Sequence, residues 1–169
     1  MMANFITFLR FFLTFPTLYT VLEESKHLSF TFILVGALSD FLDGSLARKK
    51  GKDQGLGVLL DPMVDKVFVL STLSAFLYLQ KIHPLPFVLL LTRELLTSFL
   101  RSLAVEKGYL MQASYLGKIK TFFEFLSLLG ISLGLSFGSW ALWIAVVLSY
   151  LSLYDYFLKY LSFGGDKDV

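Results

Sequence analysis

Six apolar segments follow one another along this chain, near residues 5–22, 28–47, 60–81, 84–106, 115–136 and 138–161, with only short polar breaks between them. The breaks are Glu23 to His27, residues 48–55, the turn at His83-Pro84, Lys107 to Ser114, and Ser136 to Ser139. About 20 helical residues span the hydrocarbon of a bilayer. The pattern therefore predicts an all-α, polytopic membrane protein with six transmembrane helices and tight connections. Composition agrees: hydrophobic residues fill 56% of the 169 positions and charged residues 17%, against about 45–50% and about 25% in soluble domains. Such a chain lacks the polar surface to cover itself in water. Nothing is left over for a soluble domain, so residues 1–169 read as one transmembrane domain. With no cysteine, no disulfide or thiolate metal site is expected. A net charge of +2 gives no reason to expect nucleic acid as a partner.

The uncharged run from Phe125 to Tyr154 is too long for one crossing. Splitting it at Gly138 places Trp140 and Trp143 at the lipid–water boundary, where indoles prefer to sit. Ahead of Pro16, Asn4 to Arg10 reads as a short N-terminal interfacial segment. Arg10 with no small-residue cleavage site after it argues against a removable signal peptide. Of the 15 Lys and Arg residues, 13 fall on the side holding the two termini, and only Lys26 and Lys81 fall on the other. The positive-inside rule then puts both termini in the cytoplasm, which makes this a multi-pass protein of the cytoplasmic membrane.

Each of the first five segments becomes charged in its cytoplasmic half: at Arg10, at Asp40 and Asp43, at Asp61 and Asp65, at Arg93 and Arg101, and at Lys118 and Lys120. An ionised side chain facing hydrocarbon costs about 2.5–3.5 kcal/mol even on lenient scales. Five helices bearing that cost separately is uneconomical. One cavity open to the cytoplasm, into which all five face, removes it.

The densest constellation runs Asp40-Phe41-Leu42-Asp43-Gly44-Ser45-Leu46-Ala47-Arg48, then, after eight residues, Gly57-Val58-Leu59-Leu60-Asp61-Pro62-Met63-Val64-Asp65. Asp40 and Asp43 are i, i+3 and share a helix face; Asp61 and Asp65 are i, i+4 and share another. A short loop makes these helices antiparallel neighbours, so the pairs can face each other. Four carboxylates at the edge of low dielectric require cation, and oxygen-only ligands favour Mg²⁺ or Mn²⁺ over zinc. The number suits two ions clamping a phosphoryl group in transit. Gly44 and Ala47 leave room for a flat ligand against the backbone, Arg48 offers a phosphate fork, and Gly57 permits close approach where the next helix begins. Arg93 and Arg101 lie eight residues apart, about 80° around a helix at roughly 100° per residue. A cationic pocket there wants an anionic ligand, and snorkelling or pairing with Glu94 and Glu124 is the structural alternative. Gly130, Gly134 and Gly138 predict close helix packing and could serve a dimer interface. His27 and His83 fall in outer connections, where no role is expected.

The pattern Asp-x2-Asp-Gly-x2-Ala-Arg-x8-Gly-x3-Asp-x3-Asp at 40–65 matches the signature of the CDP-alcohol phosphatidyltransferase family at every fixed position. Other residues resemble one branch, the phosphatidylglycerophosphate synthases: Asn4 to Arg10, Leu60 to Lys66, Thr92-Arg93-Glu94 followed by Arg101, and Gly117 to Thr121. Gln54 departs from that branch, which often has Thr there. The resemblance covers about residues 4–135. It implies a six-helix membrane enzyme, homodimeric, that transfers a phosphatidyl group from CDP-diacylglycerol to glycerol 3-phosphate. By that resemblance Asp40, Asp43 and Asp61 are metal ligands, and Asp65 is the general base, also near the second metal. Gly44, Ala47 and Arg48 contact the CDP moiety, while Arg93, Arg101 and Lys118 hold the acceptor's phosphate. Another acceptor (inositol phosphate, serine or phosphatidylglycerol) could use the same carboxylates. A divalent-cation transporter would also place acids between helices, but it needs a polar path outward. The outer halves hold no acid beyond Glu23 and Glu24.

Overall fold

The computed structural model describes the backbone of residues 2–46, 56–108, 111 and 114–165, and side chains within 8–41, 63–108, 111 and 114–162. Among the described residues all regular structure is helical: α1 (Met2–Leu22), α2 (Lys26–Leu46), α3 (Leu56–Tyr78), α4 (Pro84–Glu106), α5 (Tyr115–Ser132) and α6 (Phe137–Gly165).

Local chemistry sets the ends. α3 stops at Tyr78, short of the expected 81, because Gln80 adopts φ +58° and the Lys81 N–H reaches back to Phe76 O at 2.9 Å. α4 begins with Pro84, whose missing N–H costs nothing in a first turn. His83 caps it, its side chain accepting the Leu85 N–H at 3.2 Å. The residue expected to have no role therefore satisfies one of the helix's orphan donors. Ser114 does the same for α5, accepting from Gly117 N at 3.0 Å.

Two expectations are corrected. α1 runs unbroken through Pro16, so Asn4 to Arg10 is not a separate interfacial piece. These residues are the first turns of a packed helix, and Arg10 is only 1% exposed because two carboxylates meet it there. The break between the last two helices falls at Leu133 to Ser136, one turn before Gly138. Gly134 takes φ +73°, open to glycine at no steric cost, and the Leu135 N–H closes the turn on Gly130 O at 2.9 Å. Gly138 lies inside α6 and faces α5: a Cβ on Gly130 would sit 2.7 Å from Gly138 Cα. The glycine series is thus spent within the chain, on one turn and one helix crossing.

α1 packs against α3 and α2, α5 runs along α6, α4 lies on α6, and α2 and α3 close on α5. Ile33, Phe68, Leu73, Phe76, Leu90 and Leu128 are buried at the centre. Gly36 lets α2 approach α3, since a Cβ there would meet Phe68 Cζ at 2.6 Å. The outside is apolar as well: Phe12, Phe41, Met63, Leu95, Phe122 and Trp140, one from each helix in turn, are exposed. Soluble monomers rarely present so much continuous apolar surface. Among the described residues, Phe137–Ser162 is long and apolar enough on its own to cross a membrane, and Phe8–Leu22 is a shorter apolar stretch.

Candidate active site

Asp40 of α2 and Asp65 of α3 come together at one side chain of α1. Arg10 Nη1 lies 3.4 Å from Asp40 Oδ1 and donates to Asp65 Oδ1. Arg10 Nε points to Ser39 Oγ at 3.4 Å, and that hydroxyl donates in turn to Gly36 O at 2.8 Å. Burying a guanidinium without counter-charge costs several kcal/mol; here the carboxylates, themselves 28% and 29% exposed, supply it. Two of the four expected acids therefore converge from different helices. Asp43, Gly44, Ala47, Arg48, Gly57 and Asp61 lie outside the residues whose side chains are described. Among the described residues no three metal-ligating side chains cluster. Asp40 and Asp65 nevertheless fit a hard divalent cation in donor chemistry, since they offer carboxylate oxygens only and already gather about positive charge.

A second polar cluster lies next to the first. Glu94 of α4, 5% exposed, accepts from Arg93 Nη1 and Lys120 Nζ, while its other oxygen is 3.2 Å from Lys66 Nζ. Lys120 also pairs with Glu124 at 3.0 Å. Lys66 donates to Ser98 Oγ at 2.6 Å. Among the described residues three cations thus face two carboxylates, leaving formal positive charge in excess.

The two arginines of α4 are used differently. Arg93 has every side-chain nitrogen on protein: Nε donates to Ser149 O at 2.9 Å, Nη1 to Glu94 and Nη2 to Ser152 Oγ at 3.1 Å. Arg101 Nη2 donates to Tyr156 Oη at 2.8 Å, and its guanidinium carbon lies 5.0 Å from the Tyr156 ring centre. Arg101 Nε is buried with no hydrogen-bond partner among the described residues. Lys118 is exposed on α5.

Sequence reasoning passed over Lys66 as a member of this cluster and all of the α6 contacts. A signal for the latter was present: Ser149, Ser152 and Tyr156, at i, i+3 and i+7, form one polar stripe on a largely apolar helix. Arg10 is expected from the sequence to face the common cavity, but its pairing with Asp40 and Asp65 is not.

Residues 1–151 match the family model described as CDP-alcohol phosphatidyltransferase. The chain belongs to the CDP-alcohol phosphatidyltransferase family. Among similar members of the family, a protein of Aquifex aeolicus is 36% identical over 132 residues, 77% of this chain and 74% of that one. One of Rickettsia bellii is 30% identical over 150 residues, 83% of each. One of Bacillus subtilis is 28% identical over 134 residues, 75% of this chain and 69% of that one. All three are named CDP-diacylglycerol–glycerol-3-phosphate 3-phosphatidyltransferase. Within this CDP-alcohol phosphatidyltransferase, Asp40 and Asp65 occupy the first and last acidic positions of the signature.

Proposed function

We propose that this chain transfers the phosphatidyl group of CDP-diacylglycerol to glycerol 3-phosphate, giving phosphatidylglycerophosphate and CMP in phospholipid biosynthesis. Relatives of that name over most of the chain support the reaction. The observation that carries it in the molecule is the meeting of Asp40 and Asp65 at Arg10, beside a cluster with excess positive charge.

Asp40, Asp43, Asp61 and Asp65 would hold two Mg²⁺ or Mn²⁺ ions, which when bound neutralise the diphosphate and its leaving group. Gly44, Ala47, Arg48 and Gly57 would receive the CDP moiety. Arg101 and Lys118 offer the acceptor's phosphate a cationic seat, with Arg93 in the network behind. Asp65 takes the proton from the acceptor hydroxyl. That oxygen attacks the lipid-side phosphorus in line, the bond to the CMP oxygen breaks, and CMP leaves. Proton removal of this kind contributes about 10²–10⁴-fold; the larger share is electrostatic, because charge gathers on the phosphoryl oxygens.

The chain would sit in the cytoplasmic membrane with six crossings and both termini inside, as a homodimer. Apolar side chains exposed on every helix support the crossings, and the 13-to-2 distribution of cations supports the orientation. The diacyl chains of the substrate then stay in lipid while its nucleotide reaches the cytoplasmic cavity.

The test is CMP release by purified protein in detergent from CDP-diacylglycerol and a panel of alcohols, with and without chelator. Release with glycerol 3-phosphate, lost on chelation, is expected. Release only with inositol phosphate, serine or phosphatidylglycerol overturns the acceptor assignment.

A further inference from the structure

α6 lies wholly beyond the signature and its polar stripe has no assigned part in the reaction, yet it touches both arginines of α4. Tyr156 is 2% exposed, and its hydroxyl accepts from Arg101 Nη2 at 2.8 Å and from the Ser114 N–H at 2.9 Å. With Nη2 anchored and the guanidinium over the ring, the Arg101 side chain has little rotational freedom. One buried donor, Nε–H, is then left without an acceptor among the described residues. Buried donors are nearly always satisfied, so an orphan beside an anchored fork marks a donor kept for a ligand. Guanidinium forks suit phosphate bidentately. Arg93 provides the contrast: on the same helix, it spends all its nitrogens on Ser149, Glu94 and Ser152. One arginine braces α4 on α6, and the other is aimed.

The same hydroxyl also fixes where α5 starts. Ser114 caps that helix and its Oγ lies 2.7 Å from Ser152 Oγ, so Tyr156 and Ser152, one turn apart, hold the start of α5 that carries Lys118.

Building on the acceptor assignment above, we propose that Tyr156 is a positioning residue for the acceptor's phosphate: its hydroxyl holds Arg101 so that the guanidinium's Nε–H faces the anion. It acts through Arg101 and touches no reacting atom. Specificity for a phosphorylated acceptor thereby depends on α6.

The experiment measures CMP release in detergent with purified full-length protein, varying glycerol 3-phosphate and CDP-diacylglycerol separately. Tyr156→Phe keeps the ring and removes the hydroxyl. A hydrogen bond of this kind contributes enough that the KM for glycerol 3-phosphate should rise about three- to tenfold. kcat and the KM for CDP-diacylglycerol should stay near wild type. In an Arg101→Ala background the same change should have no further effect on the acceptor KM. An unchanged acceptor KM in Tyr156→Phe overturns the proposal. So does an equal rise in the two KM values, which would mark a packing role, and so does a full effect persisting without Arg101. Wild-type protein that uses only an acceptor lacking phosphate overturns the acceptor assignment and this inference together. Wild-type protein that uses glycerol 3-phosphate while Tyr156→Phe matches it overturns the inference alone.

Discussion

Asp65 and Lys66 are consecutive on α3, yet Arg10 of α1 holds the first and Glu94 of α4 holds the second. Successive helical side chains diverge by about 100°, so one stretch of α3 feeds both halves of the site. The carboxylates lie to one side of it and the cationic cluster to the other.

Asp65→Asn should lower kcat by about 10²–10⁴-fold, the usual share of a general base, with smaller changes in either KM. Steady-state CMP release checks it. A variant within a few-fold of wild-type kcat would remove Asp65 from proton transfer.

Divalent cation should stabilise the folded protein as well as activate it. A ligand that binds only the folded state adds about 2.7 kcal/mol at a hundred times its Kd. Thermal unfolding in detergent should therefore shift upward with Mg²⁺ or Mn²⁺, and Asp40→Asn should lose most of that shift. Equal shifts in both proteins would place the binding elsewhere.

Among the described residues, Glu94→Gln leaves Lys66 and Arg93 without a carboxylate and Lys120 with Glu124 alone. Removing one partner from a buried ionic network costs about 3–5 kcal/mol. A large fall in Tm is expected. Retention of wild-type Tm would mean that water already reaches these cations and the cluster is not closed.

Gly138→Ala should be costly even though alanine is the better helix former, because its Cβ would fall 2.6 Å from Ile131 N, a backbone atom that cannot step aside. Overpacking of this kind costs about 1–3 kcal/mol. Gly108→Ala is a control of a different sort. Its surroundings are open but φ is +79°, so only conformational strain is felt. Indistinguishable Tm values for Gly138→Ala and wild type would disprove the close crossing.

The outer turns offer a pH test. The Lys81 ammonium, 2.8 Å from Glu24, holds that exposed carboxyl below its ordinary value of 4.5. A depressed carboxyl contributes stability that is present at neutral pH and is lost as pH falls through the lowered pKa. The contribution is small because both groups are solvated. The Tm difference between wild type and Lys81→Ala should shrink toward acid and toward high salt. A difference that grows in acid would reverse the assignment.

Much of this molecule could be read from its residues. α4 appeared at its observed bounds because Pro84 and Gly108 punctuate it on both sides. Asp40 and Asp65 were legible because acids are expensive in apolar helices, which leaves few reasons for their presence. The turn before α6 was misplaced because Gly130, Gly134 and Gly138 are equivalent by spacing. Only the tertiary contact decides which glycine bends the chain and which ones touch. Arg10 reads from the sequence only as a charge facing the cavity, and Lys66 only as a flanking charge of the positive-inside kind. Their partners lie 55 and 28 residues away along the chain, beyond any local pattern. Tyr156 was hidden by its dual nature, since an aromatic in an apolar helix reads as packing until its hydroxyl is seen to carry two hydrogen bonds.

The contact of Gly130 with Gly138 stands at the far end of α6 from Tyr156, about 27 Å away at 1.5 Å per residue. That pinch sets the depth at which α6 is seated, and so where its phenol arrives. With Tyr156 holding Arg101 as proposed, that hold is set from the opposite end of the helix. A compound wedged into the turn between α5 and α6 would then loosen Arg101 from the far end of the bundle.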